Sequence, residues 1–276
     1  MALENNPLKQ YFRRPAIYLK LPSGGAGYAE GVITLTETGE LPVFPMTAID
    51  EITVKTPDAL FNGTAVAEII TSCVPGIKDP WSINSVDLDA ILLAVKSATG
   101  GNELEVVSVC PKCNEDAKYS VNLVGLLTTL KAGDYETELP LNEMLIKFRP
   151  LTFKEMNKAS LGQFELQRVF MTIENMENVE EKTRQTKLAL KTITDVTMEI
   201  LSNTIEYIKT PTAYVKESEY ILDFLRNCDK NMYTKIRDHN GMLKQQSEVQ
   251  PLSIKCIHCE HEYKQTFTLN TSDFFE

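Results

Sequence analysis

The chain has 276 residues, of which 43% are hydrophobic and 24% charged, an ordinary balance for a soluble protein able to bury a sizeable core in one large domain or two modest ones. Its formal net charge of −10 argues against nonspecific nucleic-acid binding, which depends on neutralising phosphates. Met1 to Pro7 shows no basic region followed by an apolar stretch, and the longest apolar run, about Ala90 to Val95, is far short of a bilayer span, so a soluble cytosolic protein is expected.

Residues 1–45 read as an arm and a β-hairpin. Ile17 to Leu21 alternates as a strand, Ser23-Gly-Gly-Ala-Gly27 turns, and Gly31 to Thr36 is the expected return strand. The glycines are a turn and not a phosphate loop, because no Gly-Lys-Ser/Thr follows and a strand comes next. Residues 46–103 read as helical: Thr47 opens one helix as a cap, and Thr56-Pro-Asp-Ala-Leu60 opens another that runs to Cys73. Ser85 to Asp89 begins a further helix, Ala90 to Ala98, which Gly100-Gly101 ends. Leu104 to Val109 is then a strand.

Residues 124–251 read as an inserted, mainly helical domain. Asn122 to Leu130 is a linker or short helix, and Tyr135 to Leu139 with Met144 to Arg149 resemble a strand pair. Thr152-Phe-Lys-Glu155 has the form of a capping box. Helical periodicity follows over about Lys154–Thr172, Val179–Ile208, Pro211–Asn227 and from Lys230 to Gly241 or beyond, giving a helical bundle with polar outer faces.

Two Cys-x-x-Cys pairs carry the chemistry: Cys110-Pro-Lys-Cys113 and Cys256-Ile-His-Cys259. Aligned on the cysteines, Asp116 matches Glu262, Lys118 matches Lys264, and Val121 and Leu123 match Phe267 and Leu269, so each pair leads into a similar strand. Two such thiolate knuckles, on 104–123 and 252–270, can close a tetrahedral four-cysteine zinc site with no open position for catalysis. The 142 residues between Cys113 and Cys256 contrast with the roughly 15–20 of a free-standing zinc ribbon. One shared ion would make the intervening segment an insertion and would clip a very long loop. The alternatives are four unrelated thiols in a reducing cytosol, or a disulfide pairing, which seldom staples a fold from adjacent CxxC pairs. The expected class is therefore α+β: a zinc-ribbon-like four-cysteine module, a β-rich N-terminal part and an inserted helical bundle. Cys73 and Cys228 read as core residues.

No catalytic constellation emerges, and an enzyme is not expected. His258 and His261 read as loop residues beside the metal, with replacement of a cysteine ligand the lesser alternative, and His239 reads as lying at a helix end. The acidic run Glu174 to Glu181 lacks the alternating ligands and glycine of a calcium loop and reads as a solvated helix junction. Trp81 is either an interface anchor or a core plug beneath the Pro80 turn. Tyr11, Phe12, Arg13 and Arg14 place aromatics beside arginines on the arm, which suits either docking onto a neighbouring subunit or packing on the chain's own domain.

Taken in order, Leu21 to Gly24, Pro42-Val-Phe-Pro-Met-Thr47, Ile69-Ile-Thr-Ser-Cys-Val74, Asp79-Pro-Trp81, Val86 to Leu93, the first knuckle and Phe148-Arg-Pro-Leu-Thr-Phe153 resemble the baseplate hub subunits and hub-assembly factors of T4-like contractile-tailed phages. The resemblance covers most of residues 15–155 and the terminal knuckle. It implies virion assembly by protein–protein contact with other hub and tail proteins, in the cytoplasm of the infected host or in the tail baseplate. The rival readings are a tail-assembly chaperone that leaves the particle and a zinc-ribbon nucleic-acid-binding protein. Oligomeric state is left open.

Overall fold

A computed structural model describes residues 6–56 and 62–265, which divide into two units. The first gathers the described residues up to Pro80, Asp87–Leu130, and those from Val249 onward. In it Ile17–Leu19 (β1) pairs antiparallel with Leu41–Val43 (β2), and Leu19, Leu41 and Val43 are buried. The return strand expected at Gly31 to Thr36 is thus displaced to β2. Its backbone is occupied elsewhere: Thr34 N–H donates to Gly76 O at 2.7 Å, Lys78 N–H donates to Val32 O at 2.8 Å, and Ile33 bridges Ile77. A Cβ on Gly76 would lie 2.7 Å from both Leu41 Cδ2 and Thr34 O, so only glycine allows this approach. Gly76→Ala is expected to destabilise the chain by about 2 kcal/mol or more through overpacking. An unchanged urea midpoint would remove the steric argument.

The helices of this unit follow their caps. Ala48–Val54 (α1) begins at Thr47 with a complete capping box closed by Asp50. Thr64–Cys73 (α2) follows Gly63, whose φ of 78° is left-handed, and buries Val66, Ile69, Ile70 and Cys73. Of its expected start at Thr56 to Leu60, residues 57–60 lie outside the described residues. Ser85–Gly100 (α3) ends before Gly101, at φ 93°, and buries Ala90 to Val95 throughout, so that apolar run is a core segment. Asp87, in its first turn, is fully buried and accepts from Ser23 N–H (2.9 Å), Ser23 Oγ (2.5 Å) and Tyr28 OH (2.6 Å). The glycine-rich turn therefore serves as an anchor on the positive end of α3, where a carboxylate is favoured. Glu103–Val109 (β3) and Asp116–Asn122 (β4) form one antiparallel hairpin, and Leu123–Thr129 (α4), capped by Asn122, resolves the expected linker as a helix. Leu252–Lys255 (β9) and Glu262–Gln265 (β10) form a second hairpin.

The second unit holds Trp81–Val86 and Lys131–Glu248. It contains four helices, Phe153–Glu174 (α5), Val179–Asn203 (α6), Ser218–Asn227 (α7) and Lys230–Ser247 (α8), together with a four-stranded antiparallel sheet. The sheet runs in the order Leu139–Leu141 (β5), Met144–Phe148 (β6), Ile205–Lys209 (β7) and Tyr214–Val215 (β8). The expected helical bundle is corrected on this point, because the helices pack with a sheet. Ile146, Phe148 and Ile208 from the strands share one core with Leu201, Ile221 and Ile236 from the helices.

Three boundaries move with that correction. The first strand of the expected pair lies at Leu139–Leu141, the helix expected to run to Ile208 stops at Asn203, and the next begins at Ser218, not Pro211. A bulge explains the second error. Ile205 lies opposite Phe148 and Ile208 opposite Ile146, so three steps on β7 face two on β6, and both isoleucines are buried. Leu201, Ile205 and Ile208 thereby keep the spacing of a helix face while two of them lie in a strand. The capping box expected at Thr152 is present, and its Glu155 also takes both guanidinium nitrogens of Arg149, at 3.0 and 2.6 Å.

Candidate metal centre

Each cysteine pair sits on the tip of an antiparallel hairpin, the first between β3 and β4 and the second between β9 and β10. The two turns have the same internal wiring. Cys110 N–H donates to Glu115 O at 3.0 Å and Asn114 N–H to Cys110 O at 2.9 Å. Cys256 N–H donates to His261 O at 2.9 Å and Glu260 N–H to Cys256 O at 2.9 Å. Asn114 and Glu260 both turn left-handed, at φ 57° and 56°, which reverses the chain after each second cysteine. Asparagine tolerates that conformation, while glutamate adopts it at a cost in backbone strain. The repeat seen in the sequence extends to this turn geometry, whereas Phe267 and Leu269, its expected strand positions, lie outside the described residues.

The turns bring four sulfurs together. Cys110 Sγ lies 3.7 Å from Cys259 Sγ, and Cys113 Sγ lies 3.7 Å from Cys256 Sγ. All four sulfurs fall within 4.8 Å of one another, and among the described residues this is the one cluster of three or more groups able to hold a metal. A tetrahedral ion with metal–sulfur bonds of about 2.3 Å needs sulfurs about 3.8 Å apart, so the donor set fits such an ion. Behind it, Ser108 Oγ lies 2.8 Å from Tyr263 OH and donates to Gln265 Oε1 at 2.9 Å, which ties β3 to β10.

The electrostatics of the thiols point the same way. Burial resists ionisation of Cys110, yet the N–H groups of Cys113 and Lys112 prevail and bring its thiol down to about 6. Cys256 is lowered similarly, burial being outweighed by the N–H groups of Cys259 and His258, the latter 3.4 Å from its sulfur. For Cys113 the Glu115 amide favours the thiolate, but burial and the neighbouring sulfurs outweigh it and push the thiol up to about 12. Four thiols this close oppose one another's ionisation, so they do not all become thiolates unaided. A bound cation removes that conflict, because it favours all four thiolates at once. His258 and His261 contribute backbone groups to the turns, and the donor cluster is made of cysteines.

The sequence profile of a family described as T4 bacteriophage base plate protein matches residues 33–276, a span that includes both knuckles and everything between them. The chain belongs to that family. Membership implies a place in the tail baseplate of the virion and contacts with other baseplate components. Comparison with curated proteins and with solved structures found no match.

The remaining candidate residues of this base plate protein are spread over both units. Tyr11 and Phe12 are exposed, Tyr11 at 77%, and Arg14 is also at the surface. Arg13 turns inward. It donates to Pro45 O at 2.6 Å and to Ser72 O and Oγ at 2.8 Å each, with Asp50 Oδ2 at 3.4 Å. This clasp includes a buried carboxylate, Asp50, whose role the sequence reading missed. In the second unit Trp81 is half-buried and stacks on Phe153, ring centroids 4.9 Å apart, so part of its surface is a packing surface. His239 is corrected: it lies within α8, not at a helix end, and its ring packs 5.0 Å from that of Phe148. The acidic run lies at the α5–α6 turn, where Asn178 accepts from Glu180 and Glu181 N–H, as a helix junction requires.

Proposed function

We propose that this chain is a hub component of the phage baseplate, held by a structural zinc ion and acting through protein–protein contacts without catalytic turnover. The observation that carries the reading is the four-sulfur cluster at tetrahedral spacing in a member of the base plate family. Four thiolates of soft character suit zinc, and a complete protein ligand set leaves no position for a substrate or water. The two hairpins then form a zinc-ribbon-like module built from distant parts of the chain, with Lys131–Glu248 of the second unit inserted between them in sequence. Exposed apolar side chains on the N-terminal residues and α1, including Tyr11, Phe12, Ile49 (74%) and Ile52 (69%), supply a surface for neighbouring tail proteins. The net charge of −10 makes nucleic acid the poorer partner.

The chaperone reading differs in one observable, the presence of the chain in finished particles. Quantitative mass spectrometry of purified tails is expected to find a few copies per particle at a fixed ratio to the other baseplate proteins. Absence from particles, with abundance in the infected lysate, would instead assign it to assembly alone.

A further inference from the structure

We propose that two copies of this chain pair through the hairpin of α5 and α6, one flank of each hairpin docking on the same flank of the other to complete a four-helix arrangement. The hairpin is long and thinly covered. Of the 22 residues of α5 only Phe153 and Ile173 are buried, and of the 25 of α6 only Ala189, Leu201 and Ser202. Helices of this kind gain most of their stability from packing an apolar face, and here much of that face is open.

The open face has a definite side. Leu166 and Phe170 of α5 and Ile193, Val196 and Ile200 of α6 line a groove of about 360 Å³, whose rim is Gln163, Gln167 and Thr197. The positions 163, 166 and 170, like 193, 196 and 200, follow the three-then-four spacing of a coiled-coil seam. Gln167 and Thr197 each follow a seam residue directly, so both stand on the same flank of this antiparallel pair. That flank extends outward through Met171, four residues after Gln167, and Leu190, three before Ile193, which are 55% and 53% exposed. The groove on the opposite flank is different, with Glu165 and Arg168 in its wall.

Charge selects a second copy as the occupant. The chain carries −10 overall, so two copies repel over most of their surfaces. The groove and its rim contain no charged residue, three cations balance three acids on α5, and four balance four on α6. Glutamine and threonine on the rim offer both donors and acceptors, as a self-complementary two-fold surface needs.

Sedimentation velocity on the full-length, metal-loaded protein tests this across 1 to 100 µM. The expected result is a species of twice 31.1 kDa that Ile193→Asp and Leu190→Asp weaken at least tenfold, while Tyr18→Asp, at an exposed position of β1 in the other unit, leaves it unchanged. A Gln167→Lys, Thr197→Lys double variant keeps every apolar side chain and places like charges across the two-fold, so its loss of pairing is not explained by misfolding. A monomer at every concentration, or a dimer indifferent to the lysine pair, overturns the proposal, and the monomer would give the flank to a helix of another baseplate component. Metal content and copy number in the particle are independent of this outcome.

Discussion

Removing the metal with a chelator, or replacing Cys113 with serine, is expected to lower the melting temperature by roughly 10–20 °C. The magnitude follows from chain topology. An ion held by Cys110, Cys113, Cys256 and Cys259 crosslinks residues separated by 142 positions, and closing a loop of that length restricts the unfolded chain by about 5 kcal/mol on the scale used for disulfides. A change of that size moves the midpoint of a protein this large by the interval given above. Metal analysis of the purified chain is expected to give one zinc, and of the Cys113→Ser variant none. A variant that kept both its melting temperature and its fold without metal would sink the structural-zinc reading. Retention of the ion with three thiolates would show a site that opens a coordination position.

The second large effect belongs to Arg13. Its side chain fastens the N-terminal residues to Pro45, Ser72 and Asp50, and Arg13→Ala is expected to cost about 2–4 kcal/mol, because it strips the cation from a buried carboxylate and leaves two carbonyls without a donor. The pH dependence distinguishes this from a simple loss of packing. Burial works against ionisation of Asp50, but the N–H and hydroxyl of Thr47, the Ser72 hydroxyl and Arg13 outweigh it and hold the carboxyl below its ordinary 3.8. A depressed folded value stabilises the folded chain above the ordinary value, and that contribution is lost as the pH falls through the folded one. Urea midpoints of the parent and Arg13→Ala chains are therefore expected to differ most near pH 7, and the gap to narrow as the pH falls below the ordinary 3.8 of the carboxyl. A gap independent of pH would assign the effect to packing alone.

Local signals in the sequence reached as far as local physics decides the structure. Thr47 announced its helix as a cap and Thr152 as a capping box, because a hydroxyl there satisfies orphan N–H groups whatever the tertiary context. The cysteine pairs announced their cluster because thiolates at that spacing share a turn, and the turns proved alike down to the left-handed residue after each second cysteine. Pairing between distant strands was not legible. β2 rather than Gly31 to Thr36 answers β1 because residues 32–34 are held by Gly76 and Lys78, far along the chain. Ile205 and Ile208 kept helical spacing only because a bulge turns both inward, and no single-chain periodicity separates that from a helix. Arg13 and Asp87 were hidden for a related reason, since their partners Ser72 and Ser23 are remote in sequence and ordinary in kind.

The separation of the two knuckles also sets a timetable. Synthesis proceeds from the N-terminus at about 5–20 residues per second, so Cys110 and Cys113 leave the ribosome roughly 7–30 s before Cys256 and Cys259 exist to meet them. Through that interval the first pair is an accessible dithiol, open to oxidation or to transient metal capture, and the second hairpin can close the site only after Cys259 has emerged. A chain stalled before Cys256 is expected to have both early thiols readily alkylated, while the released, metal-loaded protein protects them. Protein made in a host under oxidative stress would then fail first at Cys110 and Cys113, before the residues that complete the cluster have been translated.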